Sequence, residues 1–372
     1  MNTLRPQSTS AANGTPTRVL QRQSRQIGQF LLESRILEAV EQRRASYPIL
    51  RHLRIAARVE QQALFDDLAL SLGWQAHRIH GELMLLESDG LFVSVYGTRK
   101  GEYCSASFHL WAESIERAES AVAAIEARIG DARIAEPMFS VDWHFVSSCG
   151  DLESASIEEI ADSPLIDTAY PALEEGVAPF IARYLAAPET VLVLQGPPGT
   201  GKTRLIRAVL SEISRRAGGE AEVLYTGDKK ALENEEIFVK FITGTHDAFV
   251  VEDADHLLTP RAEGNQHLHR FLAIADGVVR AQSRKIIFST NLPNLGDLDD
   301  ALIRPGRCFA RVHVRELSLA EAERVVSAIV QNDAERQAVL NKAIQALEQR
   351  SVSLATIFKL LREAEQGAMC AA

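Results

Sequence analysis

The segment Gly196-Pro-Pro-Gly-Thr-Gly-Lys-Thr203 packs three glycines, a lysine and a terminal hydroxyl into a single short run. Its spacing, G-x-x-x-x-G-K-T, is that of a loop that cradles phosphates. Gly196, Gly199 and Gly201 let the backbone curl with its N–H groups turned inward, where a side chain would obstruct them. Pro197, Pro198 and Thr200 complete the loop. Lys202 can reach the β- and γ-phosphates, the Thr203 hydroxyl can ligate Mg²⁺, and Arg204 follows in the helix that the loop opens. A nucleoside triphosphate with Mg²⁺, ATP above all, is the expected ligand.

Such a loop works only between a buried strand and a helix N-terminus, whose partial positive charge faces the phosphates. The apolar run from Thr190 to Leu194 predicts the strand, and the stretch after Thr203 predicts the helix. A second apolar run, Ala248 to Val251, ends in Glu252-Asp253-Ala254-Asp255. Carboxylates at that strand end suit the Mg²⁺ shell and the polarisation of an attacking water. A third run, Lys285 to Thr290, leads to Asn291, whose amide can orient water or the γ-phosphate.

Downstream stands Leu298-Asp-Asp-Ala-Leu-Ile-Arg304-Pro-Gly-Arg307. With it the chain resembles the AAA branch of the AAA+ ATPases, over roughly residues 160 to 365. The resemblance implies a P-loop NTPase fold: an αβα sandwich on a parallel sheet, with a C-terminal helical lid. It further implies that Arg304 and Arg307 are arginine fingers completing a neighbouring subunit's site, so that the chain works as a homo-oligomeric ring, hexameric or heptameric. Asn291 falls on the sensor position. Two departures matter. The family's strand-end pair is Asp then Glu, whereas here Glu252 precedes Asp253, so Glu252 would serve the metal and Asp253 would activate water. The aromatic–aliphatic–glycine triplet of chain-threading members is absent from Tyr225 to Asn234. Both departures resemble the branch of the mitochondrial translocase of the Rieske iron–sulphur protein. The family's activity would be ATP hydrolysis coupled to remodelling, assembling or moving a protein partner.

At 372 residues and 46% hydrophobic content the chain has room for two or three domains. A net charge of −10 gives no broad basic footprint, so a nucleic-acid partner is not expected. No apolar run is long enough to span a membrane, and four scattered cysteines fit a reducing, cytoplasmic setting. Residues 1–28, poor in acids, are expected to be a disordered tail, with an organelle transit peptide as the alternative.

Residues 29–150 are expected to form a small α+β domain for substrate or partner recognition. Its helices should cover 30–44, 55–72 and 112–129, and its strands 74–86, 91–96, 103–110 and 138–146. The tryptophans Trp74, Trp111 and Trp143 are expected in that domain's core. Residues 151–166 read as an acidic linker, 167–316 as the ATPase α/β domain, and 317–372 as the lid, with helices at 333–350 and 353–365. Ser318 to Glu321 reads as a capping box. The histidines His256, His267 and His269 match no standard metal spacing. Two further readings of function stand beside the remodelling machine: a loader or recombination regulator acting on nucleic acid, and an ATP-gated scaffold with little turnover.

Overall fold

The structure is a computed structural model. It describes residues 19–371 except 44–45, 101–102, 137, 162–163, 220, 260–267, 277–283, 294–298, 303, 305 and 331–350. The chain divides into two compact units, Met1–Ala135 and Glu136–Ala372.

The first unit opens with helix α1 (Val19–Arg43) and strand β1 (Ile49–Ala57), followed by α2 (Gln61–Ser71). Four strands come next: β2 (Gln75–His80), β3 (Leu83–Ser88), β4 (Leu91–Lys100) and β5 (Tyr103–Ala112). Helix α3 (Ile115–Ile129) closes the unit. The strands form one antiparallel sheet in the order β1-β5-β4-β3-β2. Alternation decides its faces. Cys104, Ala106, Phe108 and Leu110 are buried in the cluster that also contains Leu64, Phe65 and Leu68 of α2 and Ala118, Ala121 and Ile125 of α3. Leu32 of α1 packs in a separate cluster with Tyr47, Leu85 and Phe92.

The second unit is an α/β layer structure with seven strands among the described residues. They are β6 (Met138–Val146), β7 (Leu152–Ile160), β8 (Val191–Gln195), β9 (Ala221–Thr226), β10 (Ala248–Val251), β11 (Lys285–Thr290) and β12 (Cys308–His313). Their order is β12-β8-β11-β10-β9-β6-β7. All neighbours are parallel except the β6–β7 hairpin. Every residue of β8, β10 and β11 is buried, as near-continuous apolar runs in a sheet covered on both faces should be. Leu192, Leu194, Val250 and Ile287 face α4 (Val177–Ala186) and α5 (Lys202–Arg216), where α10 (Leu319–Ile329) and α11 (Leu354–Ala371) also pack. Val191, Val193, Phe249, Val251 and Phe288 face the other layer, α6 (Lys229–Glu233) to α9 (Leu268–Asp276). In that layer α7 is Glu235–Thr243 and α8 is Asp255–Leu258.

Several expectations are corrected. The hairpin β6–β7 belongs to the second unit's sheet, so residues 138–146 are not part of the first unit and 151–166 is no mere linker. Residues 151–166 have a linker-like composition because β7 is an edge strand, where half-buried Glu and exposed Ser side chains are tolerated and discourage further pairing. Trp143 goes with that hairpin and is 46% exposed rather than in a core. Residues 49–57, read in part as helix, form β1, which pairs antiparallel with β5 from Ile49↔Ala112 to Ala57↔Cys104. Residues 74–86 are two strands, not one. Residues 19–28 lie in α1, so only 1–18 of the expected tail fall outside the described residues. The helix expected at 333–350 also lies outside them. The capping box holds, with Ser318 Oγ accepting from Glu321 N and the Glu321 carboxylate accepting from Ser318 N at 2.8 Å. No described helix is long and apolar enough to cross a membrane.

Candidate nucleotide site

The loop from Gly196 to Thr203 joins the C-terminal end of β8 to α5, and its glycines are spatial necessities. A Cβ at Gly196 would fall 1.9 Å from the Val314 carbonyl oxygen. Gly201 caps α5 with φ +101°, a backbone that L side chains rarely adopt. A Cβ there would meet Leu354 and Tyr170 at 2.9 Å. The Tyr170 hydroxyl donates to Gly201 O at 3.0 Å, and Ala355 N at the start of α11 donates to Gly199 O at 2.9 Å. The loop is therefore braced from two sides.

Lys202 is buried, and its Nζ donates to Gly196 O (2.7 Å), Pro197 O (2.9 Å) and Asn291 Oδ1 (2.9 Å). Burial lowers its pKa, while Asp253, Asp255 and Glu252 pull the other way. The Asn291 amide turns its Nδ2 to Asp253 Oδ1 at 2.9 Å. One side chain thus ties the loop lysine to the second strand-end acid. Asp255 fixes the Asn291 backbone, its Oδ1 accepting from Asn291 N (2.7 Å) and Thr290 Oγ1 (2.6 Å). On the other flank, Thr203 Oγ1 donates to Glu252 Oε1 at 2.6 Å.

These groups face an open cleft of about 520 Å³, which α11 lines from across with Leu354, Ala355, Phe358 and Arg362. A neighbouring apolar pocket of about 360 Å³ is lined by Leu165, Ile166, Tyr170 and Ile329, and shares Arg204, Leu354 and Phe358 with the cleft. The Arg204 guanidinium lies 4.2 Å from the centre of the Phe358 ring. A polar cleft beside an apolar slot has the make-up of a site for a phosphate chain with a flat base attached. The Thr203 hydroxyl and Glu252 carboxylate are hard oxygen donors side by side at the loop's helix end, which fits Mg²⁺.

A family model, ATPase family associated with various cellular activities (AAA), matches residues 192–316. That segment contains the loop, Glu252, Asp253, Asp255 and Asn291, but not Tyr170 or the α11 residues that line the cleft from across. The chain carries an AAA ATPase domain. Among curated proteins, the peroxisomal ATPase PEX6 of Homo sapiens is 30% identical over 258 residues, covering 66% of this chain and 24% of that protein. An ATP-dependent zinc metalloprotease YME1 homolog of Caenorhabditis elegans is 32% identical over 139 residues, 35% of this chain and 19% of its own length. A proteasome-activating nucleotidase of Methanocaldococcus jannaschii is 30% identical over 194 residues, 44% and 42% of the two chains. The chain spans about a quarter of the length of the PEX6 relatives it matches.

The structure brings Lys202, Thr203, Arg204, Glu252, Asp253 and Asn291 together around the AAA domain's cleft. Arg304 and Arg307 are not among the residues lining it. Arg304 is exposed, and Arg307 donates from one guanidinium nitrogen to Ala301 O of its own chain at 2.8 Å. The 225–234 stretch, which lacks a threading triplet, is the end of β9 followed by α6. No group of three or more potential metal-ligating His, Cys, Asp or Glu side chains occurs among the described residues. Sequence reasoning missed Tyr170, Tyr225, Ser289 and Phe358. Only tertiary packing brings them to the site, although Tyr225 stands near the end of β9, opposite Val250 of β10, where its ring could have been suspected.

Proposed function

We propose that this protein is an ATP-hydrolysing AAA machine, working as a homo-oligomeric ring, hexameric or heptameric, that remodels, assembles or moves a protein partner in the cytoplasm. The observation that carries it is the chain Lys202–Asn291–Asp253 set beside the pair Thr203–Glu252 at the mouth of one loop. ATP would lay its phosphates along Gly196–Thr203 and the α5 N-terminus, and its base in the apolar slot beside Phe358. Lys202 would exchange its loop carbonyls for β- and γ-phosphate oxygens. Mg²⁺, when bound, supplies charge neutralisation between those oxygens. Thr203 and Glu252 would hold it, Asp253 would take a proton from the attacking water, and Asn291 would keep Asp253 and that water in line. Arg304, exposed, and Arg307 would complete the site of the adjacent subunit.

The Glu252-Asp253 order and the missing threading triplet favour a translocase of folded cargo, like the Rieske-protein branch, over a machine that threads extended chains. The first unit would select the partner. The decisive experiment measures Mg²⁺-dependent ATP hydrolysis by wild type and Asp253→Asn, alongside nucleotide binding and particle mass. Turnover that Asp253→Asn abolishes while binding persists supports the reading. Equal, negligible rates in both proteins would leave an ATP-gated scaffold instead, and salt-sensitive stimulation by DNA would point to nucleic acid.

A further inference from the structure

Glu252 is held by both oxygens. While Oε1 accepts from Thr203, Oε2 accepts from the Tyr225 hydroxyl at 2.8 Å. We propose that Tyr225 is a positioning residue for the metal-supporting carboxylate, and that Trp143 of the β6–β7 hairpin holds Tyr225 in that pose. The inference rests on the reading of Glu252 given above and deepens it.

A carboxylate on a glutamate stem turns easily, because its terminal torsion is broad and roughly two-fold. A single donor leaves one oxygen free to wander. Two donors from opposite sides, one on α5 and one on β9, fix the plane of the group. Thr203 spends its proton on Glu252 and so keeps its lone pairs for a cation, an arrangement that lasts only while Glu252 stays put.

What holds the phenol is the added hairpin. Trp143 is the register partner of Tyr225 across the parallel β6–β9 ladder. Their rings meet edge to face, with centroids 5.8 Å apart and planes at 89°, a favoured geometry for an aromatic pair. The hairpin is stapled to the end of β9 by two further bonds. Thr226 Oγ1 donates to His144 O at 2.9 Å, and Val146 N donates to Asp228 Oδ2 at 2.9 Å. The other Asp228 oxygen accepts from Lys230 N at the start of α6. This explains why a tryptophan stays 46% exposed between Asp142 and His144 of β6: it braces the tyrosine instead of filling a core.

The test uses the full chain as wild type, Tyr225→Phe and Trp143→Phe. Phenylalanine keeps the ring and its packing and removes only the hydroxyl. Outer-shell partners of metal sites typically change affinity by about 10–100-fold. Tyr225→Phe should therefore need about tenfold more Mg²⁺ for half-maximal effect, in ATP turnover and in binding of a non-hydrolysable ATP analogue alike. Nucleotide affinity in EDTA should stay as in wild type, which also verifies the fold. The second readout is emission from Trp143, isolated by difference against Trp143→Phe in each background, since Trp74 and Trp111 lie in the other unit. It should change when Mg²⁺ is added to the wild-type nucleotide complex, and that change should be lost in Tyr225→Phe. A Tyr225→Phe protein whose Mg²⁺ half-saturation stays within twofold of wild type overturns the proposal. Failure of the ATPase reading looks different, namely a wild type with no Mg²⁺-dependent binding at all, and that outcome sinks both.

Discussion

Replacing Asn291 with alanine tests the site at its narrowest point. Asn291 bridges two ionised side chains, accepting from the Lys202 ammonium and donating to the Asp253 carboxylate, each at 2.9 Å. Hydrogen bonds to charged groups contribute about 1.5–3 kcal/mol each. Asp253 is exposed to the open cleft, so water replaces part of what is lost and the lower figure applies. Two such bonds give about 3 kcal/mol, or about two powers of ten in rate if both persist in the transition state. Ground-state binding should suffer far less, because the Gly196 and Pro197 carbonyls still hold Lys202 in place until phosphate oxygens replace them. The expected result is a fall in kcat of about 100-fold, with nucleotide affinity changed by less than about threefold. Steady-state hydrolysis and equilibrium titration with a fluorescent ATP analogue separate the two quantities. Equal losses in binding and turnover would make Asn291 a brace of the loop. An unchanged kcat would refute the idea that the amide aligns Asp253.

Three further outcomes are expected. Gly196→Ala drives a methyl to 1.9 Å from Val314 O, whose own residue is pinned by a 2.7 Å bond from Val314 N to Gln195 O. Titration should show nucleotide binding weakened by at least about 100-fold, and binding within threefold of wild type would mean the loop yields more easily than argued. Arg304→Ala should bind nucleotide normally but turn it over slowly. Mixing it with Lys202→Ala subunits should restore part of the activity, and no recovery in mixed particles would place Arg304 outside the neighbour's site. Glu321, paired with Arg315 and capping α10, has its carboxyl held at about 2. Its stabilisation is complete above the ordinary glutamate range and is lost as pH falls towards 2, so Glu321→Gln should cost about 1 kcal/mol near neutrality and progressively less in acid, as read by denaturant melts. A constant difference across that range would contradict the assignment.

The nucleotide loop, the acids and Asn291 were legible because each sits where an apolar run stops. In a parallel sheet covered on both faces, such runs are strands whose C-terminal ends converge on one edge. The β6–β7 hairpin was not legible for the converse reason. Leu152 to Ile160 mixes Leu, Ile, Glu and Ser because an edge strand has one unpaired side facing water, and that composition reads as linker. Residues 55–57 were drawn into a helix because Ile55-Ala-Ala57 adjoins the apolar spacing of α2. Only pairing with β5, nearly fifty residues away, makes them a strand. Tyr225, Tyr170 and Phe358 share one difficulty, since their contribution depends on which element packs beside the loop, and that information is tertiary.

The inverted acid pair has a physical reading once the backbone is known. Asp253 has φ of +50°, and it is the only non-glycine residue with positive φ among those described. Left-handed backbone is tolerated by Asp several-fold better than by most residues, because its short polar side chain can bond locally. Here Asp253 N points at Ser289 Oγ at 3.2 Å, and Ala254 N donates to Ser289 O at 2.8 Å, so the turn is locked against β11. The longer acid stands one residue earlier, directly after β10, where it reaches Thr203 on α5 and Tyr225 on β9 together. A shorter Asp at 252 would lose about one methylene of that reach, and a Glu at 253 would carry its extra length in a strained conformer. The order Glu252-Asp253 is thus the one that this turn, with its two-sided hold on the first carboxylate, can accommodate.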